Sequence, residues 1–427
     1  MKKILTAVIF LQILFVSAAF GGEMETFKLT NDIKVIFDKT NGPKVVSVRV
    51  FTPVSAVCEN SKNSGVSALT SRLMTKSTLN RSNEVLANDT DNIGSDIYCD
   101  IDYDYANIGL NVLAEYFDKG AELLADVVIN PAFNDKELEF EIKDAVAGLN
   151  SRKDSINAVA TDNFTKLFYG GLPYSLPVAG SVSSIKKITS QDLKQWHKYS
   201  YNASNIFIVV AGNIDKKTVK ENLEKYFSDI EKGEKFQKPV FEIEKPSKSV
   251  RRIKGKFNQA YIYKGFLAPS VSDKEFLSLK AAGAVLGGKM SSRLFVELRE
   301  KLGLAYNVSV AYPTRVEDSY FAIYIGLDKK NINLTLQKID EILKDFCENE
   351  VGAQELKDTK TYVAGIYALD RQTVNNLTYY YGIREIWGQG YKYDEKYIKD
   401  FNKVSSKDIN AVANLIFKRQ PLTVVID

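Results

Sequence analysis

Two hexapeptides about 215 residues apart decide the architecture: Ile188-Thr189-Ser190-Gln191-Asp192-Leu193 and Val404-Ser405-Ser406-Lys407-Asp408-Ile409. Each opens a helix with a hydroxyl residue placed to cap its first turn. Each helix then leads to a short apolar strand, Ile206 to Ala211 in one case and Leu422 to Ile426 in the other. A second match lies upstream of each unit, where Val45 to Pro53 corresponds to Ala260 to Pro269 as strand, turn and helix entry. The chain therefore reads as an internal duplication of an α+β unit. Its 427 residues exceed a single core and suit two domains of roughly 200 residues each.

Between the copies, residues 231–248 are rich in Lys, Glu and Pro with little apolar periodicity, the composition of a solvated linker. This places an N-terminal domain at 22–230 and a C-terminal domain at 249–427. Within the first, Lys34 to Asp38, Lys44 to Phe51 and Tyr98 to Val112 read as strands. Ser64 to Met74 reads as a helix capped by Ser64, and Leu113 to Ile129 and Asp135 to Asn150 as two amphipathic helices.

Lys2 and Lys3 precede the apolar run Ile4 to Phe15, followed by the small residues Ser17, Ala18 and Ala19. That is the pattern of a secretory signal, here residues 1–21, and implies an exported, periplasmic or secreted protein; an uncleaved signal would leave it membrane-associated. No other run is long enough to span a bilayer. Three cysteines are few for an exported chain, so the core holds the fold; Cys58 and Cys99 are open either to a bridge or to burial as thiols. A net charge of +4 with 26% charged residues carries no nucleic-acid bias.

Candidate chemistry is sparse. A catalytic zinc site uses three protein ligands, commonly two or more of them histidines, yet the chain has one histidine, His197, read as a surface or capping residue. An independent hydrolase would need His197 as its base, with no nucleophile motif beside it. Gly283 to Met290 has the spacing of a phosphate-binding loop, but Met290 stands where Ser or Thr would hold magnesium, and the loop follows a helix rather than a strand. Tyr379-Tyr380-Tyr381-Gly382 with Trp387 reads as interhelical packing in preference to a peptide cleft.

The segment Leu286-Gly287-Gly288-Lys289-Met290-Ser291-Ser292-Arg293-Leu294-Phe295-Val296-Glu297-Leu298-Arg299-Glu300-Lys301-Leu302-Gly303-Leu304-Ala305-Tyr306 closely resembles a hallmark of the pitrilysin/insulinase family of zinc peptidases. Further stretches are similar to the same family: Gln259-Ala260-Tyr261 with Gly265-Phe266, and Pro173, Gly180, Asp192-Leu193, His197, Tyr201-Asn202 and Val209 to Asn213. The resemblance implies two tandem domains, each a mostly antiparallel sheet packed with helices, that form half of a clamshell chamber around a peptide or unfolded polypeptide. It also implies that Arg299 orients the substrate backbone and that the Tyr306 phenol stabilises a developing oxyanion.

The family's zinc motif is not retained. Where catalytic members carry H-x-x-E-H, the chain has Ala68 and Arg72 at the histidine positions and Ser71 at the general-base position; the third ligand position falls near Gly148 or Leu149. Ala68 has no donor atom, and the Arg72 guanidinium stays protonated and repels a dication. The resemblance is thus to the non-zinc-binding, Arg/Tyr-donating subunit of heterodimeric bacterial members. It implies no metal and no peptidase activity in the isolated chain, and zinc in a homologous partner subunit. The other reading is a peptide-binding or scaffolding homologue without chemistry.

Overall fold

The computed structural model describes residues 24–243 and 249–427. The expected signal at 1–21 lies outside the described residues. The first half runs β1 Met24–Lys28, β2 Lys34–Lys39, β3 Val45–Thr52, α1 Val66–Met74, α2 Asn83–Asp91, β4 Ile97–Ile101, β5 Ala106–Leu113, α3 Phe117–Ile129, α4 Asp135–Ser151, α5 Ile156–Tyr169, α6 Val182–Ile185, α7 Ser190–Ser200, β6 Phe207–Gly212 and α8 Lys216–Phe227. The second runs β7 Ser249–Ile253, β8 Ala260–Ala268, α9 Phe276–Gly287, β9 Ala305–Ala311, β10 Ser319–Leu327, α10 Ile332–Glu348, α11 Ala353–Leu369, α12 Val374–Ile386, α13 Tyr393–Phe401, α14 Ser406–Phe417 and β11 Leu422–Ile426.

The duplication reappears in the hydrogen bonding. The first sheet has the order β1-β2-β6-β3-β5-β4 and the second β7-β11-β8-β10-β9. Without β1 the two orders coincide. In both, the parallel pair sits in the same place, β2 with β6 and β7 with β11, and the other pairings are antiparallel. Thr189 and Ser405 both cap their helices as reciprocal capping boxes, with Asp192 and Asp408 bonding back.

The central strands are buried on both faces; β8 is an almost unbroken apolar run, whereas β3 turns Ser47 and Arg49 to its second face, where they bond Thr378 and Asn375 of α12. One face of the first sheet packs on α1, α3, α7 and α8 around Val48, Val50, Leu110 and Leu124; the second sheet repeats this with α9, α10 and α14 around Ile262, Ile323 and Ile409. Each sheet's other face is covered by a helix from the opposite half: α12 lies on β3 and β6, and α5 on β8 and β11. Close approach is bought by glycine in both places. A Cβ on Gly382 of α12 would sit 2.2 Å from the Phe51 ring, and one on Gly265 of β8 would sit 2.2 Å from Phe164 of α5.

Several local expectations need correction. Tyr98 to Val112 is not one strand but two, β4 and β5, folded back at Asp102–Tyr105. The helix expected from Leu113 begins at Phe117, after a 3₁₀ turn at Ala114–Tyr116. Ser64 does not cap α1: the N-cap is Gly65, and the Glu59 carboxylate accepts from the N–H groups of Gly65 (2.7 Å) and Ser67 (2.8 Å). Residues 231–243 form no regular element, yet Ile243 is buried and Phe241 stands edge-on to Tyr174 at 5.2 Å, so this stretch is not wholly solvated. Cys58, Cys99 and Cys347 are free thiols, and burial pushes Cys58 and Cys99 up to about 11. Tyr381 is core, its hydroxyl donating to buried Asp38 at 2.9 Å, and Tyr379 meets the Tyr105 hydroxyl at 2.6 Å. The aromatic run thus packs α12 onto the first sheet.

Candidate functional site

Helix α1 is seated by a close backbone approach. Gly65, at φ +96°, faces Gly180, at φ +76°; a Cβ on Gly180 would lie 2.4 Å from the Ser64 carbonyl oxygen. This brings the first turns of α1 against residues 177–180. Glu59 bridges the exposed N–H groups at the helix start, although burial pushes its carboxyl up to about 8.

Ala68 and Arg72, one turn apart on α1, line a cavity of about 410 Å³, walled by Ile101 at the end of β4, Pro177 and Tyr103 and closed from the second half by Arg315 and Tyr320. A contiguous cavity of about 240 Å³ is lined by the same Ala68 and Arg72 together with Gly148, Leu149 and Asp144 of α4. The fold therefore brings together positions 68, 72 and 148, as the sequence comparison implied. Position 71 departs from this: Ser71 is 1% exposed and lines neither cavity.

The residues present do not fit a zinc ion. Of the four motif positions only Ser71 carries a neutral oxygen, and it is turned into the core, whereas Arg72 puts a fixed positive charge where a dication would sit. Among the described residues no group of three or more His, Cys, Asp or Glu is placed to hold a metal. His197 lies elsewhere, against Phe133 and Tyr201, with Nε2 2.8 Å from the Val128 carbonyl in the last turn of α3. It caps that helix, and burial lowers its pKa. The phosphate-loop spacing at Gly283–Met290 falls at the C-terminal end of α9, where carbonyls rather than N–H groups point outward.

Arg299 and Tyr306 line neither cavity. Arg299 is exposed on a π-helical turn, Phe295–Lys301, with its guanidinium 4.8 Å from the Phe295 ring centroid. Among the described residues it has no carboxylate partner; the neighbouring Glu297 pairs with Lys301 instead. Tyr306 stands on β9, the edge strand of the second sheet, 57% exposed. Both groups are presented outward.

Sequence reasoning missed the cavity's other polar residues. Arg315 stacks 4.4 Å from the Tyr103 centroid and pairs with Asp102 at 2.8 Å, while buried Asp104 accepts from the Tyr174 hydroxyl at 2.6 Å and the Val316 N–H at 3.1 Å. Burial raises the Asp104 carboxyl above the usual range. The alternation Asp100-Ile101-Asp102-Tyr103-Asp104-Tyr105 was the available signal, but it was absorbed into one long strand. No helix among the described residues is long and apolar enough to cross a membrane.

Comparison with known proteins supplies the context. The family model described as Insulinase (Peptidase family M16) matches residues 34–181, and the one described as Peptidase M16 inactive domain matches 187–363. An uncharacterized zinc protease, YmxG, of Bacillus subtilis is 25% identical over 398 residues, covering 92% of this chain and 96% of that protein. A Helicobacter pylori protein named non-peptidase homolog YmxG is 25% identical over 309 residues, covering 71% of this chain and 70% of its own length. The fold matches the crystal structure of a peptidase M16 inactive domain from Pseudomonas fluorescens with a TM-score of 0.88 at 20% identity, covering 95% of this chain and 97% of that one.

Proposed function

Because the chain belongs to the pitrilysin/insulinase (M16) family of peptidases, we propose that it serves as a non-zinc-binding subunit that binds peptides and presents Arg299 and Tyr306 to the active site of a homologous, zinc-binding partner. One contrast carries this reading. The positions that would ligate zinc converge on a cavity without a donor set, whereas Arg299 and Tyr306, to which the family resemblance gives roles on substrate, are retained, exposed and without an ion-pair or side-chain hydrogen-bond partner among the described residues. The name non-peptidase homolog carried by one relative supports the inactive half of the proposal; the zinc-protease names of others belong to those proteins.

In this role the chain forms half of the chamber. An extended polypeptide adds to an exposed sheet edge, Arg299 holds a backbone carbonyl, and the Tyr306 hydroxyl donates to the oxygen that gains charge as the amide is attacked. The partner's zinc, when bound, supplies the activated water. The N-terminal residues 1–21 direct this chain out of the cytoplasm.

The test mixes the purified chain with a co-expressed homologue that bears an intact H-x-x-E-H and follows cleavage of a quenched-fluorescence peptide. Arg299→Ala and Tyr306→Phe should each lower kcat by about 10²-fold, the usual cost of losing one oxyanion donor. Unchanged cleavage by both variants would overturn donation in trans. It would favour the second reading, a peptide-binding homologue without chemistry.

A further inference from the structure

The cavity that has no zinc ligands is not without chemistry. The guanidinium of Arg72, at a position that holds a ligand in the family motif, has neither an ion-pair nor a hydrogen-bond partner among the described residues. The other two cations on its wall are compensated: Arg152 by Asp162 at 2.6 Å and Arg315 by Asp102 at 2.8 Å. One uncompensated guanidinium therefore faces the space; its planar fork pairs bidentately with a carboxylate, one positive charge against one negative.

A second observation points the same way. Buried Tyr169, Tyr174 and Tyr320 wall the cavity, and a low-dielectric wall of this kind strengthens an ion pair formed beside it. The volume, about 410 Å³, lies within the range of small-ligand sites, roughly 300–1,000 Å³. Access is directional. Ile101 ends β4, the outer edge strand of the first sheet, so an extended chain laid along β4 would deliver its end into the cavity, against the apolar surface of Ile101 and Pro177.

We infer that this cavity is a carboxylate pocket that takes the free C-terminus of an extended peptide, with Arg72 as the cation. The inference rests on the peptide-binding part of the proposed function, and does not involve Arg299 or Tyr306.

The test uses the full chain without a partner and two probes, N-acetyl-Ala-Ala-Ala-Leu as the free acid and as the carboxamide, measured by isothermal titration calorimetry. The acid should bind at least about tenfold more tightly than the amide, in line with a charge-assisted bidentate pair. Arg72→Gln should abolish the difference and Arg72→Lys should retain part of it, while Arg252→Gln, on a remote exposed strand, should leave it intact. Equal binding of acid and amide, no binding of either at millimolar concentration, or an acid preference that survives Arg72→Gln would overturn the inference. Preference for an amidated peptide with an internal Asp over the free acid would overturn the C-terminal assignment. Loss of acid preference with cleavage in trans preserved removes only this inference, and the reverse result removes only donation in trans.

Discussion

Gly265→Ala probes the junction on which the two halves depend. The Cβ would lie 2.2 Å from Cζ and 2.6 Å from Cε2 of Phe164, far inside the ~3.5–4.0 Å optimum for carbon atoms. The ring has little room to retreat: Phe164 is fully buried, stacked 5.2 Å from Tyr263 and edge-on to Tyr320 at 5.1 Å. Overpacking of this kind costs ~1–3 kcal/mol, against a gain of ~0.4–1 kcal/mol from a stiffer unfolded chain. We expect a net loss of about 1.3 kcal/mol, read as a lower urea midpoint with an unchanged slope. Phe164→Leu, which removes the two clashing carbons, should lose ~1–2 kcal/mol alone through lost burial. Combined with Gly265→Ala it should recover much of the alanine penalty, giving a favourable coupling of about 1 kcal/mol or more. A Gly265→Ala protein within about 0.5 kcal/mol of wild type, or additive losses in the double variant, would show that α5 is not seated on β8 as described.

Other outcomes follow from the same geometry. With Glu59 held up to about 8 against an ordinary value of 4.5, the unfolded chain releases a proton that the folded chain keeps. Stability should therefore fall as pH rises between these values, by at most about 1.4 kcal/mol per pH unit; Glu59→Gln should flatten the difference between urea midpoints at pH 5 and pH 8. Gly148→Ala should stabilise α4 by ~0.5–1 kcal/mol in the same assay, because a Cβ there meets nothing within 4 Å and glycine weakens a helix interior. Tyr306→Phe should leave the unfolding midpoint of the isolated chain within about 0.5 kcal/mol of wild type, since its exposed hydroxyl has no partner among the described residues.

The duplicated architecture was legible because it was written in local signals. Thr189 with Asp192 and Ser405 with Asp408 cap helices by local contacts alone, and a doubly buried strand such as β8 reads as an apolar run. Positions 68, 72 and 148 could be aligned with the family motif, and the fold does gather them. What stayed hidden depends on long-range contact. The exchange of α5 and α12 between halves rests on Gly265 and Gly382, which in sequence are indistinguishable from other glycines. Glu59 caps α1 from six residues upstream, through a loop whose path no periodicity records. Arg315 joins the cavity from more than two hundred residues beyond Arg72, so its partnership with Asp102 and Tyr103 exists only in the folded chain. A hydrophobic pattern reports which side of an element is buried; it does not report what lies across from it.

The most direct measurement is made on the purified full-length chain alone: zinc content by mass spectrometry after incubation with excess zinc and desalting, alongside cleavage of the quenched peptide. The expected result is zinc far below one atom per chain and no cleavage until the H-x-x-E-H homologue is added. Stoichiometric zinc together with cleavage by the unaccompanied chain would contradict it.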